Sequence, residues 1–273
     1  MTEYEIKPAG RVSLNIKELW QHRELFFFFT WRDIKVKYKQ TFFGFAWAVI
    51  QPLIMMLIFT VFFGNFLQVP HDEIPYPVFV YSGLMVWTIF ASGLTGAGNS
   101  MISNANIIKK IYFPRLIIPV SSVLVALFDF LMTIVVYVGL LIYYRINVDV
   151  VHLLVYFPIS VAITLLTTLG AGTLIAALNV KFRDFRYVIP FLVQALMFVT
   201  PVIYPVSVVT GTTGRFLLSL NPMTSSVTLA RAAISDAPVE WHFVLNGIIV
   251  SLLFFIAGLV YFRKTEAHFA DIA

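Results

Sequence analysis

Residues 43–67 read FGFAWAVIQPLIMMLIFTVFFGNFL and contain no Asp, Glu, Lys or Arg. About 20 helical residues cross the roughly 30 Å hydrocarbon core of a bilayer, so this stretch is long enough to span it. The composition agrees, because 59% of the 273 residues are hydrophobic and 12% are charged. One water-soluble core does not accommodate so much apolar surface. The sequence therefore predicts a membrane protein built from helices.

Five further apolar windows follow, at 76–98, 117–144, 153–178, 188–206 and 243–262. Together the windows predict an all-α polytopic membrane protein with six transmembrane helices, which puts both termini on one side. Of the 19 Lys and Arg residues, 16 lie before the first window, in 99–116, in 179–187 or after the last window. Because cytoplasmic segments are enriched in Lys and Arg, both termini are expected in the cytoplasm. The chain divides into an N-terminal arm (1–42), a transmembrane domain (43–262) and a short cytoplasmic tail (263–273).

The N-terminal arm combines aromatic and basic residues. An amphipathic helix in the membrane interface is predicted, because one broad helical face can hold Leu14, Leu19, Trp20, Phe26 and Phe27. Four basic residues follow at the expected depth of lipid phosphates, namely Arg32, Lys35, Lys37 and Lys39. Two interpretations of these four stay open. They either anchor the topology and attract anionic lipid, or they bind a pyrophosphate headgroup.

Three connections between windows are long enough to hold structure. Residues 99–115 predict a short cytoplasmic helix, which is either an interfacial elbow or a lever against a soluble partner. The charged and aromatic loop 181–186 is either a positive-inside clamp or a brace for that partner. On the outer side, 205–240 is apolar and predicts two short helices broken at Asn221-Pro222. This segment is either a re-entrant gate at an exit or an ordinary external loop packed on the bundle.

Several kinds of chemistry are disfavoured by the sequence. It contains no cysteine, which excludes disulfides, iron–sulfur clusters and thiolate zinc sites, and its five histidines lack metal-ligand spacing. It also contains no G-x-x-x-x-G-K-[ST] phosphate loop, so ATP hydrolysis of that type needs another chain. Asp129 is the one charged residue within the six windows. Such an acid either binds a proton or cation or has a hydrogen-bonded packing role.

Four motifs in series carry a family resemblance. They are residues 31–53 (WRDIKVKYKQTFFGFAWAVIQPL), 182–190 (FRDFRYVIP), 200–205 (TPVIYP) and 220–224 (LNPMT). Over nearly its whole length, the chain resembles the permease subunits of type-2 ATP-binding-cassette polysaccharide exporters, with the O-antigen type most similar. Other members export capsular polysaccharide or teichoic acid. The motifs are specific to the family but discriminate poorly among its cargoes.

The resemblance implies a homodimer in a bacterial cytoplasmic membrane, with a channel between two permeases for undecaprenyl-pyrophosphate-linked polysaccharide. It implies two copies of a separate nucleotide-binding subunit that binds ATP and Mg, so this chain is expected to be no enzyme and to hold no cofactor or metal. The 99–115 helix becomes the coupling helix, braced by the arm, and the 205–240 segment becomes a periplasmic gate at Asn221 and Pro222. Residues expected to couple to the ATPase are Asn106, Lys109, Lys110, Tyr112, Arg115, Lys181, Arg183 and Asp184. Aromatic residues suited to lining the channel and stacking on sugars are Trp47, Tyr81, Trp87, Phe198 and Tyr204.

Two other functions stay open at this point. A type-2 exporter of another cargo, such as teichoic acid, capsule, a lipid or a drug, would share the same motifs. A membrane-embedded glycan enzyme or an ion-coupled carrier would need clustered acids within the spans. The windows offer Asp129 alone, which disfavours this third class.

Overall fold

The computed structural model describes residues 16–39, 43–70, 74–182, 184–235 and 238–266. Within these ranges every regular element is helical, which confirms the all-α prediction. The elements are α1 (Ile16–Gln21), α2 (Arg23–Lys39), α3 (Ala46–Phe59, continued by a π-helix, Thr60–Phe66), α4 (Tyr76–Ser103), α5 (Ala105–Ile108), α6 (Ile117–Tyr143), α7 (Val150–Lys181), α8 (Phe185–Val199), a 3-10 turn (Val206–Val208), α9 (Thr212–Ser219), α10 (Pro222–Ala232) and α11 (Trp241–Glu266).

Five helices of the described chain are long and apolar enough to cross a membrane: α3 with its π-helix, α4, α6, α7 and α11. They match five of the six predicted windows. The window 188–206 differs, because α8 has 15 residues and a length of about 22 Å, less than the hydrocarbon core. A residue before proline avoids helical backbone, and Thr200, which precedes Pro201, is extended. The predicted end at 206 is therefore wrong, and the count of six spans stays a prediction.

The central helix of the bundle is α4. In its most apolar window 78% of the residues are buried, against 17% for α3. It packs on α6, α7 and α10, and its fully buried side chains include Phe79, Met85 and Ile89. On the far side of α7 lies α11, at a close approach between Gly170 and Gly258. The outer helix α3 keeps a broad apolar face exposed.

The arm contains two helices rather than one. Leu14 lies outside the described residues, and α2 packs on α6 with buried Phe29, Ile34 and Tyr38. Trp20 and Phe27 are 70% and 72% exposed, whereas Leu19 and Phe26 pack against the core. Of the predicted apolar face, one pair therefore packs on the bundle and the other points away from it. Location in the membrane interface stays a prediction.

The two predicted short-helix regions differ in outcome. Residues 99–103 belong to the last turns of α4. The helix ends at Ser103, and the side chain of the next residue, Asn104, donates a hydrogen bond to the Ser100 carbonyl at 2.9 Å. One helical turn, α5, is what remains of the predicted helix over 99–115, so its bounds are corrected. The two helices predicted around Asn221-Pro222 are present as α9 and α10. Their role as a gate stays a prediction.

Candidate functional site

A cavity of about 560 Å³ lies between the arm and the first spans. Its wall combines an ion pair, two indole rings and several hydroxyl or amide groups. The lining residues are Lys37 and Tyr38 of α2, Trp47, Ala48, Gln51, Pro52 and Met55 of α3, Leu84, Trp87, Thr88, Ala91, Ser92, Thr95 and Gly96 of α4, Asp129 of α6 and Met197 of α8. A cation beside aromatic faces suits a sugar that carries a negatively charged group.

The ion pair joins the arm to the middle of α6. The Asp129 side chain is 5% exposed, and its two oxygens accept from the Lys37 ammonium and the Tyr38 hydroxyl. A buried carboxylate needs such partners, because its removal from water is costly. Burial, and then the hydrogen bond to Asp129, raise the pKa of Tyr38, so its phenol stays protonated and donates. The partners of the intramembrane acid therefore come from the arm.

The four basic residues of α2 do not form one site. Lys37 lies on the wall of the cavity. Arg32 donates a hydrogen bond to the Asn104 side chain at 2.7 Å, which ties α2 to the end of α4. Lys35 and Lys39 are exposed and do not line the cavity. The four residues do not converge on this cavity, because Arg32, Lys35 and Lys39 are spaced i, i+3 and i+7 on one face of α2 and Lys37 lies on another face.

The five predicted channel aromatics also separate. Trp47 and Trp87 line the cavity. Tyr81 is fully buried, and its hydroxyl donates to a backbone oxygen of α6 at 3.1 Å, so it packs in the core instead. Phe198 of α8 is 56% exposed, and the hydroxyl of Tyr204 donates to a backbone oxygen of α8 at 2.9 Å. Of the five, Trp47 and Trp87 are the two that the structure brings together with Lys37.

The predicted coupling residues around α5 lie on an exposed loop. Asn106, Lys109 and Lys110 are exposed, and a shallow hollow of about 190 Å³ lies between the two lysines, Tyr112 and Arg115. The negative charge of Glu18 is the main cause that raises the pKa of Tyr112, whose side chain is 87% exposed. Arg115 donates to the end of α11, where its backbone N–H lies 3.2 Å from the Glu266 carboxylate. The loop is thus fixed to α11 while its lysines face outward.

The other predicted coupling residues lie where α7 passes into α8. Lys181 is the last residue of α7, and its ammonium lies 5.1 Å from the ring centre of Phe182. Asp184 is exposed immediately before α8, and Arg183 lies outside the described residues. The coupling role of both loops stays a prediction.

The predicted gate pair links three helices. The Asn221 side chain accepts the Met223 N–H at 3.0 Å, which caps α10, and donates to the Thr200 hydroxyl at 2.9 Å, just after α8. Pro222 is the first residue of α10, where its lack of an N–H costs no hydrogen bond. A capping asparagine before a proline explains why the chain turns here.

One structurally important residue was missed by sequence reasoning. Arg231 is 4% exposed and donates to the backbone oxygens of Val202 at 2.6 Å, Phe79 at 3.3 Å and Tyr204 at 3.4 Å. Its guanidinium also lies 3.5 Å from the ring centre of Phe79. The available signal was a lone arginine among apolar residues in 227–234. Arg231 therefore holds the turn after α8 against α4.

The described residues form an all-helical bundle with five helices of membrane-spanning length. This fold defines a polytopic membrane protein, and its cavity brings an ion pair together with indole rings. The chain belongs to the ABC-2 type transporter family, whose model matches residues 24–235. The resemblance carried by the four motifs is thereby confirmed.

Three relatives cover most of the chain. It is 30% identical over 242 residues to the O-antigen export system permease protein RfbA of Klebsiella pneumoniae, which spans 88% of this chain and 92% of that protein. It is 31% identical over 219 residues to RfbA of Myxococcus xanthus, across 80% and 82% of the two chains. It is 23% identical over 239 residues to the polysialic acid transport protein KpsM of Escherichia coli, across 86% and 91%.

Proposed function

We propose that this chain is the transmembrane subunit of an ATP-driven exporter that moves undecaprenyl-pyrophosphate-linked polysaccharide of the O-antigen type across the cytoplasmic membrane. The observation that carries this proposal is the match, over at least 80% of each chain, to two proteins named O-antigen export permeases. The cavity supports it, because Lys37 offers a cation for phosphate and two indole rings offer faces for sugar.

The functional assembly in this proposal is a homodimer with two copies of an ATPase subunit. Membership of the ABC-2 family supports the ATPase partner. The exposed apolar face of α3 and its π-helix, which includes Ile54, Leu57 and Val61, fits lipid or a second copy of the chain. The proposal puts both termini in the cytoplasm, which the distribution of Lys and Arg supports. The polymer then passes through a channel between the two permeases.

A second candidate cargo is a capsular polymer. The relative that supports it is KpsM of Escherichia coli, named as a polysialic acid transport protein, which covers nearly as much of the chain at 23% identity. The two cargoes are distinguished by which surface polymer disappears when the gene is removed.

Deletion of the gene in its native host tests the proposed function. We expect undecaprenyl-linked polymer to accumulate inside the cell and O-antigen to disappear from the surface, with both effects reversed by the wild-type gene. Surface labelling compared with whole-cell extracts measures this. Loss of capsule with intact O-antigen would favour the second candidate, and an unchanged surface would exclude both cargoes.

Replacement of Lys109 and Lys110 by Glu is expected to uncouple ATP hydrolysis from export. Both side chains are exposed, so the bundle should keep its fold. The two substitutions change the net charge of the loop by four units, and the new negative charges would repel an acidic surface of the partner. We expect export to fall at least about tenfold at low salt, in line with the effect of charge on association. Export and ATPase activity are measured together in the reconstituted complex.

The matched control is Lys264→Glu, which reverses an exposed lysine at the end of α11. Wild-type export in the Lys109→Glu/Lys110→Glu variant would contradict a coupling role for this loop. Loss of the monodisperse peak in size-exclusion chromatography would instead show a folding defect.

A further inference from the structure

We propose that Asp129 is a positioning residue that holds the Lys37 ammonium at the cavity wall, so that the two form a preorganised site for the phosphate group of a lipid-linked sugar. This inference rests on the proposed function. It adds to that function two named groups, Asp129 of α6 and Lys37 of the arm. It also gives a role to the one acidic residue within the six apolar windows.

The geometry fixes a side chain that is ordinarily flexible. Lysine carries its ammonium on a four-carbon stem with many rotamers. Here the ammonium is paired with a carboxylate whose side chain is 5% exposed, while the Lys37 side chain remains 44% exposed. An ammonium has three N–H donors, and one directed at Asp129 leaves two. Lys37 lines the cavity, so a ligand there can accept from the remaining donors.

Two charged residues line the cavity, and the carboxylate of the pair already accepts two hydrogen bonds. Among the described residues that line the cavity, Lys37 carries the one positive charge and Asp129 the one negative charge. Both Asp129 oxygens are engaged by Lys37 and Tyr38, so an entering group meets the ammonium first. Asp33 lines a smaller adjoining cavity of about 220 Å³ together with Lys37 and Asp129, and it is itself paired with Arg32 at 2.7 Å. The exposed charged group on the cavity wall is therefore the Lys37 ammonium.

The neighbouring groups suit a sugar attached to that phosphate. Trp47 and Trp87 line the same cavity, and Gln51 adds a side-chain amide that can donate and accept. Aromatic faces beside a fixed cation match a glycosyl phosphate better than a simple inorganic ion. Anionic membrane lipid carries the same phosphate chemistry, so the experiment must separate the two sources.

The test measures binding of undecaprenyl pyrophosphate and of uncharged undecaprenol to the full-length chain in phosphatidylcholine nanodiscs, by tryptophan fluorescence. We expect the wild type to bind the pyrophosphate with an affinity at least about tenfold higher than that for undecaprenol, because hydrogen bonds to charged groups contribute this much free energy. Lys37→Gln should abolish the preference, and Asp129→Asn should reduce it to a similar degree although the lysine is intact. The double variant should lose no more than Lys37→Gln alone, because the two residues act as one unit.

The controls separate positioning from folding. Lys35→Gln removes the same charge from an exposed position of the same helix and should keep the wild-type preference. Asp129→Glu retains the carboxylate and should restore most of the preference that Asp129→Asn loses. If Asp129→Asn lowers thermal stability but keeps the preference, Asp129 has a packing role only and the inference is wrong.

Two further outcomes are decisive. If phosphatidylglycerol nanodiscs suppress pyrophosphate binding in the wild type but not in Lys37→Gln, the site takes membrane lipid, and the assignment to cargo is overturned. The binding preference is measured without ATPase or export, so its loss leaves the deletion result untouched. An unchanged cell surface after gene deletion, with the preference intact, would overturn the proposed function and not the phosphate site.

Discussion

Gly170→Ala is expected to destabilise the helix bundle by at least about 3 kcal/mol, the upper part of the range for overpacked cores. A Cβ at Gly170 would lie closer than 3.0 Å to backbone atoms of Phe254 and Phe255 in α11. Backbone atoms cannot move aside as a flexible side chain can, so α7 and α11 would have to separate. Small residues permit this kind of close approach between membrane helices. Unfolding by sodium dodecyl sulfate, followed by circular dichroism, measures the loss.

The matched control is Gly139→Ala on α6. A Cβ at Gly139 meets no atom within 4 Å, so this change should be neutral or stabilising by about 0.5–1 kcal/mol. Gly258→Ala tests the same contact from α11, where the added Cβ would meet the Gly170 carbonyl. Equal stability of the Gly170 and Gly139 variants would show that α7 and α11 are not held this closely.

Arg231→Met is expected to destabilise the end of the bundle that holds α10 by about 2–4 kcal/mol, because a buried acceptor left without a donor costs about 1–3 kcal/mol. Three backbone oxygens, those of Phe79, Val202 and Tyr204, lose this donor. The stacking of the guanidinium on Phe79 is lost as well. The turn at 200–205 should then exchange its amide hydrogens faster. Hydrogen exchange read by mass spectrometry measures this locally, and thermal unfolding in detergent measures the total.

The control for Arg231 is Arg215→Met in α9. Arg215 pairs with Glu240, and the side chains are 36% and 40% exposed. Pairs with this exposure contribute about 0–1 kcal/mol, so the control should lose little stability. An Arg231 variant as stable as the Arg215 variant, with unchanged exchange at 200–205, would contradict the role of Arg231 as the residue that holds this turn.

The sequence by itself determined the class of fold and the order of its parts. Apolar windows, the basic residues between them and the pair Asn221-Pro222 are local signals, because helix formation and membrane insertion depend on residues near each other in the chain. The same reasoning failed where a helix ended early, as at Thr200. There a single proline outweighs an apolar composition that continues beyond it.

The tertiary structure alone decided which side chains meet. Lys37 and Asp129 are 92 residues apart in the chain, and helical spacing puts Lys37 on a different face from Lys35 and Lys39 without saying which face meets α6. The contact depends on which face α2 turns toward α6. In the same way, the close approach of Gly170 to α11 and the burial of Arg231 depend on helix packing and register. Hydropathy predicts that a helix lies in the membrane. The crossing angle and rotation at which the helices pack determine which groups each polar side chain contacts.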